Sequence, residues 1–118
     1  MANKKMTLIA SKGSLDMAYP PLILATTAVA MDMDVTIFFT FYGLEIIKKM
    51  KSMFKKHGVA TIGQLLELAK ESGVKLIACQ MTMDVLGIKQ EDIIDGVEFG
   101  GAASWMDIAA DSQVNLFI

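Results

Sequence analysis

One cysteine, one histidine, one tryptophan and two prolines occur among 118 residues, and each scarcity narrows what the chain can do. A lone cysteine, Cys79, cannot form an internal disulfide, and dithiol oxidoreductase chemistry lacks its resolving partner. A reducing cytoplasm fits such a chain. The single histidine, His57, lies in a lysine-rich stretch far from Cys79 in sequence, so nothing pairs the thiol with a base for acyl transfer. One His and one Cys far apart do not make a metal site, and the carboxylates show no ligand spacing. No metal or cofactor is expected. Phosphate loops of the GxxxxGK[ST] or GxGxxG form are absent. The longest uncharged stretch, Met17 to Met31, falls short of the roughly 20 apolar residues a spanning helix needs, and Pro20 and Pro21 interrupt it. The opening "MANKKMTLIA" has too brief an apolar run for a signal peptide. A net charge of −2 and a pI near 5.3 provide no broad positive field, so neither nucleic acid nor membrane is an expected partner.

What is present is apolar. Hydrophobic residues make up 53% of the chain and charged ones 20%, with ten methionines and a mean hydropathy of +0.46. That composition folds as one domain over 1–118 and leaves apolar surface for another subunit. A homo-oligomer is expected, and its count stays open, a trimer or a multiple of it being one option.

Strand and helix signals alternate along the chain. Lys5–Ala10 reads as a strand ended by the Ser11-Lys12-Gly13-Ser14 loop. Asp16–Met31 reads as a helix whose regular part begins near Pro20 and Pro21, because prolines suit a first turn and break an interior. Val35–Phe41 is apolar on both faces, as in a buried parallel strand. Gly43 to about Lys56 carries a helical pattern, with Leu44, Ile47, Met50 and Phe54 on one face. Thr61 and Gln64 have the spacing of a capping box, followed by an apolar stripe through Ile62, Leu65, Leu66 and Ala69, with Gly73 suited to the C′ position. Val74–Cys79 is a further strand, then a short helix over Met81–Leu86 stopped by Gly87. Gly96–Phe99, Ala102–Ala110 and Val114–Ile118 read as strand, helix and strand. The expected fold is a three-layer α/β/α sandwich around a five-stranded parallel sheet.

In such sheets ligands meet the carboxyl ends of the strands. The loops converging there hold Lys12 and Gly13, Tyr42 and Gly43, Cys79 with Gln80 and Met81, and Gly100 with Gly101. Cys79 precedes a helix start, with Thr82 as a candidate cap and Lys12 as a candidate cation, both of which favour a thiolate. Position alone leaves two readings open, since a free cysteine is also a small hydrophobe that commonly fills a core. Met81, Met83 and Met106 read as core packing or as a soft lining near the thiol, and Trp105 as a packing or interface residue. The basic run Lys48, Lys49, Lys51, Lys55, Lys56 and His57 reads as a solvated helix face or a docking rim. Gly100-Gly101 before a helix is a weak signal for anion binding.

Beyond these patterns, "ACQMTMDVLGI", "EDIIDGVEFGGAASW" and the terminal "VNLFI" resemble the DsrE/DsrF-like sulfurtransferase family. The similarity is to its single-cysteine subgroup with a C-x-M-[ST]-M-D-x-x-G motif. "IASKGSLDMAYPPLILATTAVAMDMDVTIFFTFYGL" resembles the first β-α-β unit of that subgroup. The resemblance implies a five-stranded parallel sheet in homo-oligomers and a cytoplasmic sulfur carrier. Cys79 would hold sulfane sulfur as a persulfide and exchange it with small sulfur-carrier or rhodanese-like proteins. The alternatives are a non-catalytic subunit of a complex and a small-ligand binding module.

Overall fold

The computed structural model describes residues 3–48 and 61–118. Its strands are β1 (Lys5–Ala10), β2 (Asp34–Phe39), β3 (Lys75–Cys79), β4 (Val97–Gly100) and β5 (Val114–Phe117). The helices are α1 (Leu15–Ala30), α2 (Ile62–Glu71), α3 (Gln80–Leu86) and α4 (Ala102–Ala110). All strand pairs are parallel and the sheet order is β4-β3-β2-β1-β5. The five-stranded parallel sheet flanked by helices is the architecture expected from the alternation of signals.

That order decides which helix covers which face. The chain advances from β1 through β2 to β3 with α1 and α2 as crossovers, and right-handed connection places both on one face. It then returns from β4, at one edge, to β5 at the other. The reversed direction sends α4 over the opposite face by the same rule. Odd and even positions of each strand therefore meet different surroundings. Leu8, Ile37, Phe39, Leu76 and Ala78 point into the core beneath α1 and α2, with Leu22, Ala25, Leu66 and Ala69 of those helices. Phe38, Ile77 and Cys79 point the other way and pack with Ile9 and with Trp105 and Ile108 of α4.

Helix α2 forms as its sequence dictates. The Thr61 hydroxyl accepts from the Gln64 amide at 3.0 Å, and the Gln64 side chain accepts from the Thr61 amide at 2.8 Å. Its buried stripe is Ile62, Leu66 and Ala69. Gly73, directly after the C-cap Ser72, has φ +90°, a left-handed conformation that glycine adopts without steric cost.

Three expectations need correction. Helix α1 does not begin at its prolines. It starts at Leu15 and runs through Pro20 and Pro21, the sixth and seventh helical positions. Two amides are forgone, but Ala18, Pro21, Leu22, Ala25 and Ala28 form one buried stripe, and its burial outweighs the local penalty. Strand β2 ends at Phe39, not Phe41. The residues after Thr40 form a 3-10 helix over Phe41–Ile47 where an α-helix from Gly43 was expected. Here the chain must turn tightly against β1: a Cβ on Gly43 would lie 1.8 Å from the Ala10 carbonyl oxygen. Met50 and Phe54, and the basic residues Lys49, Lys51, Lys55, Lys56 and His57, lie outside the described residues. Lys48 is ion-paired with Glu45 at 3.2 Å.

Candidate functional site

The parallel register gathers the strand ends. Ala10 is opposite Phe39, Phe39 opposite Ala78, and Cys79 opposite Gly100. The loops that follow β1, β2, β3 and β4 therefore leave one edge of the sheet together. Cys79 is the last residue of β3 and the N-cap of α3, with extended backbone (φ −73°, ψ 113°). Cys79 is 4% exposed.

The groups around the sulfur come from β3, α3 and the turn after β2. Thr82, the third residue of α3, is 1% exposed. Its hydroxyl accepts from the Phe41 amide at 3.1 Å and lies 3.2 Å from the Thr40 hydroxyl. Thr82 is thus not a helix cap. It bridges the start of α3 to the β2 turn. Phe41 has φ +47°, and a left-handed backbone costs a non-glycine residue about 1–2 kcal/mol. The hydrogen bond to Thr82 is one of the contacts that hold it there.

Burial pushes the Cys79 thiol up. Hydrogen bonding opposes it, from the Thr82 hydroxyl and amide, the Thr40 hydroxyl and the Met81 amide, and the net effect leaves the thiol below its ordinary value. The sulfur makes no fully formed cap bond with α3, so the helix amides act on it chiefly as nearby dipoles. Among the described residues, local dipoles and no ionic partner favour the thiolate.

The other predicted residues distribute around this centre. Gly13 and Gly43 lock the first two loops together: a Cβ on Gly13 would lie 2.3 Å from the Tyr42 carbonyl oxygen. Gly100 is beside Cys79 in the ladder, where a Cβ would press on Ser104 at 3.0 Å, and Gly101 is the N-cap of α4. Tyr42 and Met81 are exposed at 67% and 63%, and Gln80 is exposed as well. Lys12 is exposed in the β1–α1 loop and is not among the groups that lower the thiol. The three methionines do not share one lining. Met83 is buried in the core under α1 and α2, while Met81 and Met106 face solvent. Trp105 packs over Phe38, Ile77 and Cys79.

Thr40 was not singled out from sequence. The register held its signal, because Thr40 follows Phe39 as Cys79 follows Ala78, and Phe39 and Ala78 are partners. One step past paired residues in a parallel sheet, two chain ends remain neighbours.

This fold and edge define a class: a three-layer α/β protein presenting one thiol where parallel strands end. Family comparison makes it specific. The DsrE/DsrF/DrsH-like family matches residues 2–53 and 48–117, and the chain belongs to that family. It is 39% identical to the sulfur carrier protein DsrE2 of Allochromatium vinosum over 159 aligned positions, with all of both chains covered. Those positions outnumber the 118 residues here, so the relative has positions without a counterpart in this chain. YrkE of Bacillus subtilis, an uncharacterized protein, is 32% identical over 155 positions, covering 98% of this chain and 97% of its own. Among solved structures, the ychN protein of E. coli superposes with a TM-score of 0.83 at 20% identity, covering 98% of this chain and 99% of its own.

Proposed function

We propose that the protein is a sulfur carrier in which Cys79 holds sulfane sulfur as a persulfide and passes it to a partner protein's thiol. The observation that carries this reading is a lone thiol at the sheet edge, drawn toward its anion by hydroxyl and amide groups. It is supported by 39% identity to a protein named as a sulfur carrier.

In the loading step the Cys79 thiolate attacks the outer sulfur of a donor persulfide or polysulfide. One S–S bond forms, one breaks, and the donor leaves as a thiolate. In the unloading step an acceptor thiolate attacks the outer sulfur of the Cys79 persulfide, and Cys79 departs as a thiolate. No net oxidation occurs in either step. A lowered thiol pKa helps both, by raising the thiolate fraction at neutral pH and by improving Cys79 as a leaving group. The shielded position would keep the loaded sulfur from bulk thiols. Phe41, Tyr42 and Met81, exposed around it, would meet the partner, for which small sulfur-carrier and rhodanese-like proteins have the required chemistry. A homo-oligomer working in the cytoplasm completes the reading.

Incubation with polysulfide followed by mass spectrometry should show added sulfur on Cys79 and none on a Cys79→Ser variant. A Cys79 that stays unmodified would overturn the proposal. The 4% exposure of Cys79 favours one competing reading, a thiol that only fills the core. That reading predicts resistance to alkylation in the folded protein.

A further inference from the structure

We propose that the outer edge of β5 pairs with the same edge of a second copy of this chain, antiparallel about a two-fold axis through Leu116. The two sheets then run on as one. The proposal names the surface and symmetry of the homo-oligomer in the reading above and rests on that part of it.

The two edges of the sheet differ in how they meet water. Among the described residues β4 pairs only with β3, and β5 only with β1, so each presents main-chain groups that no strand answers. Natural edges are ordinarily guarded against pairing by charge, proline or a bulge. β4 has such a guard, because Glu98 within it is exposed and ion-paired with Lys75 at 3.6 Å. β5 has none. Its sequence Val-Asn-Leu-Phe holds no charge and no proline, all four residues are exposed, and Phe117 is 71% exposed.

The groups that β5 leaves open can be identified. The Ile118 amide donates to the Ile9 carbonyl at 2.8 Å, and the Ser11 amide donates to the Ile118 carbonyl at 2.9 Å. Ile118 thus spends both main-chain groups on β1. Direction alternates along a strand, so Leu116 does the same, while Asn115 and Phe117 turn theirs outward.

Those groups fix the register. A two-fold axis normal to the sheet keeps like faces together, so opposed residues carry side chains on one face. With the axis through Leu116, Asn115 faces the second copy's Phe117, and every outward N–H of the pair meets an outward C=O. Leu116 meets its own counterpart, and Val114 meets the second copy's Ile118. These three residues share the face of Leu8, the partner of Leu116 in the ladder, so they form one apolar strip across the junction. On the other face Phe117 covers the second copy's Asn115. An axis through Asn115 would set Phe117 against Gln113, whose amide is already bound to the Lys5 carbonyl at 3.0 Å. A second copy suits this edge because the strand is its own complement, and the like charges that penalise pairing a strand with itself are absent.

The test is the mass of the full chain by sedimentation equilibrium. A contact of this symmetry joins copies in pairs, so the wild type should contain an even number of chains. Leu116 is 38% exposed, and a charge there leaves the core of each copy intact. Leu116→Lys sets like charges opposite one another and should halve the mass, and Leu116→Glu should do the same. An equal mixture of the two variants should regain the wild-type mass, since lysine then faces glutamate. If these variants do not fold, Leu116→Cys in a Cys79→Ser background carries the test. Opposed residues of a non-hydrogen-bonded pair have Cα atoms about 4.5 Å apart, within disulfide range. Mild oxidation should therefore link two copies through position 116, whereas Phe117→Cys in the same background should stay unlinked. A wild-type monomer overturns both this contact and the homo-oligomer. An odd assembly, a folded Leu116→Lys variant of unchanged mass, a mixture that stays at half mass, or no link through position 116 overturns the contact alone. A Cys79 that never gains sulfur overturns the carrier reading and leaves the contact standing, because no sulfur donor enters these measurements.

Discussion

Beneath α1 and α2, among the described residues, 21 buried apolar side chains close over the sheet. On the face crossed by α4 the corresponding cluster has three, and one of them is Cys79. The strand positions differ in kind as well as number. Where Leu8 and Ile37 enter the thick core, their neighbours Thr7 and Thr36 face α4 and are buried too. The Thr7 hydroxyl is held by the Asn115 side chain, whose amide reaches the Ala109 carbonyl at 3.3 Å. One face is closed by apolar burial and the other partly by hydrogen bonds. The topology imposes this, because the three connections that advance from β1 to β4 share the first face and the single return crossover to β5 has the second. The thiol is on the face where least packing has to be disturbed to reach it.

The largest predicted effect breaks the thick face. Leu22, fully buried in α1, should cost about 2–5 kcal/mol of stability when replaced by alanine, as cavities in close-packed cores do. Denaturant unfolding reads that loss. The pH midpoint of Cys79 alkylation by iodoacetamide should stay at the wild-type value wherever the variant remains folded. A midpoint that moves with Leu22→Ala would show that the faces are coupled, and the comparison would fail.

Gly43→Ala should have an intermediate effect and act on both properties. Its new methyl group would lie 1.8 Å from the Ala10 carbonyl oxygen, so backbone must move. Overpacking of this kind costs about 1–3 kcal/mol. The Gly43 amide also donates to the Thr40 carbonyl at 2.9 Å, so the displaced turn should carry the Thr40 hydroxyl away from Thr82. An alkylation midpoint raised together with the stability loss is the expected signature. A stability loss with an unmoved midpoint would detach the turn from the site.

The same division explains what could be read before any coordinates. Elements whose signals are local were legible: the Thr61–Gln64 capping box, the Gly73 terminus, and the apolar runs that became β1, β3 and β5. Cys79 at the sheet edge followed from those runs and the α/β pattern. What failed depended on tertiary contact. Pro20 and Pro21 argue locally against a helix interior, yet a buried stripe holds them in one. Phe41 carries strand propensity, yet the close approach of Gly43 to Ala10 ends the strand and turns the chain into a 3-10 helix. Lys12 looked like the natural partner for a thiolate because charge is visible in a sequence. The hydroxyls of Thr40 and Thr82 lie 42 positions apart, and only the register of β2 and β3 brings them together.

The smallest effect is a pH dependence of stability that belongs to the thin face. The Cys79 thiol lies below its ordinary value in the folded chain, where hydrogen bonding to the sulfur outweighs burial. The folded state therefore releases this proton at lower pH than the unfolded state. The contribution is fully present above the unfolded thiol's value, about 8.5, and is lost as pH falls through the folded one. The difference in unfolding free energy between wild type and Cys79→Ala should rise with pH across that window and then level off, by less than about 1 kcal/mol. Subtraction removes every group the two proteins share. Leu22→Ala should keep the same rise despite its lower stability, since the thick face holds none of the groups responsible, whereas Thr82→Val should flatten it. A flat wild-type difference would mean that the sulfur gains nothing from its surroundings as an anion, and the thin face would then differ from the thick one only in how little it buries.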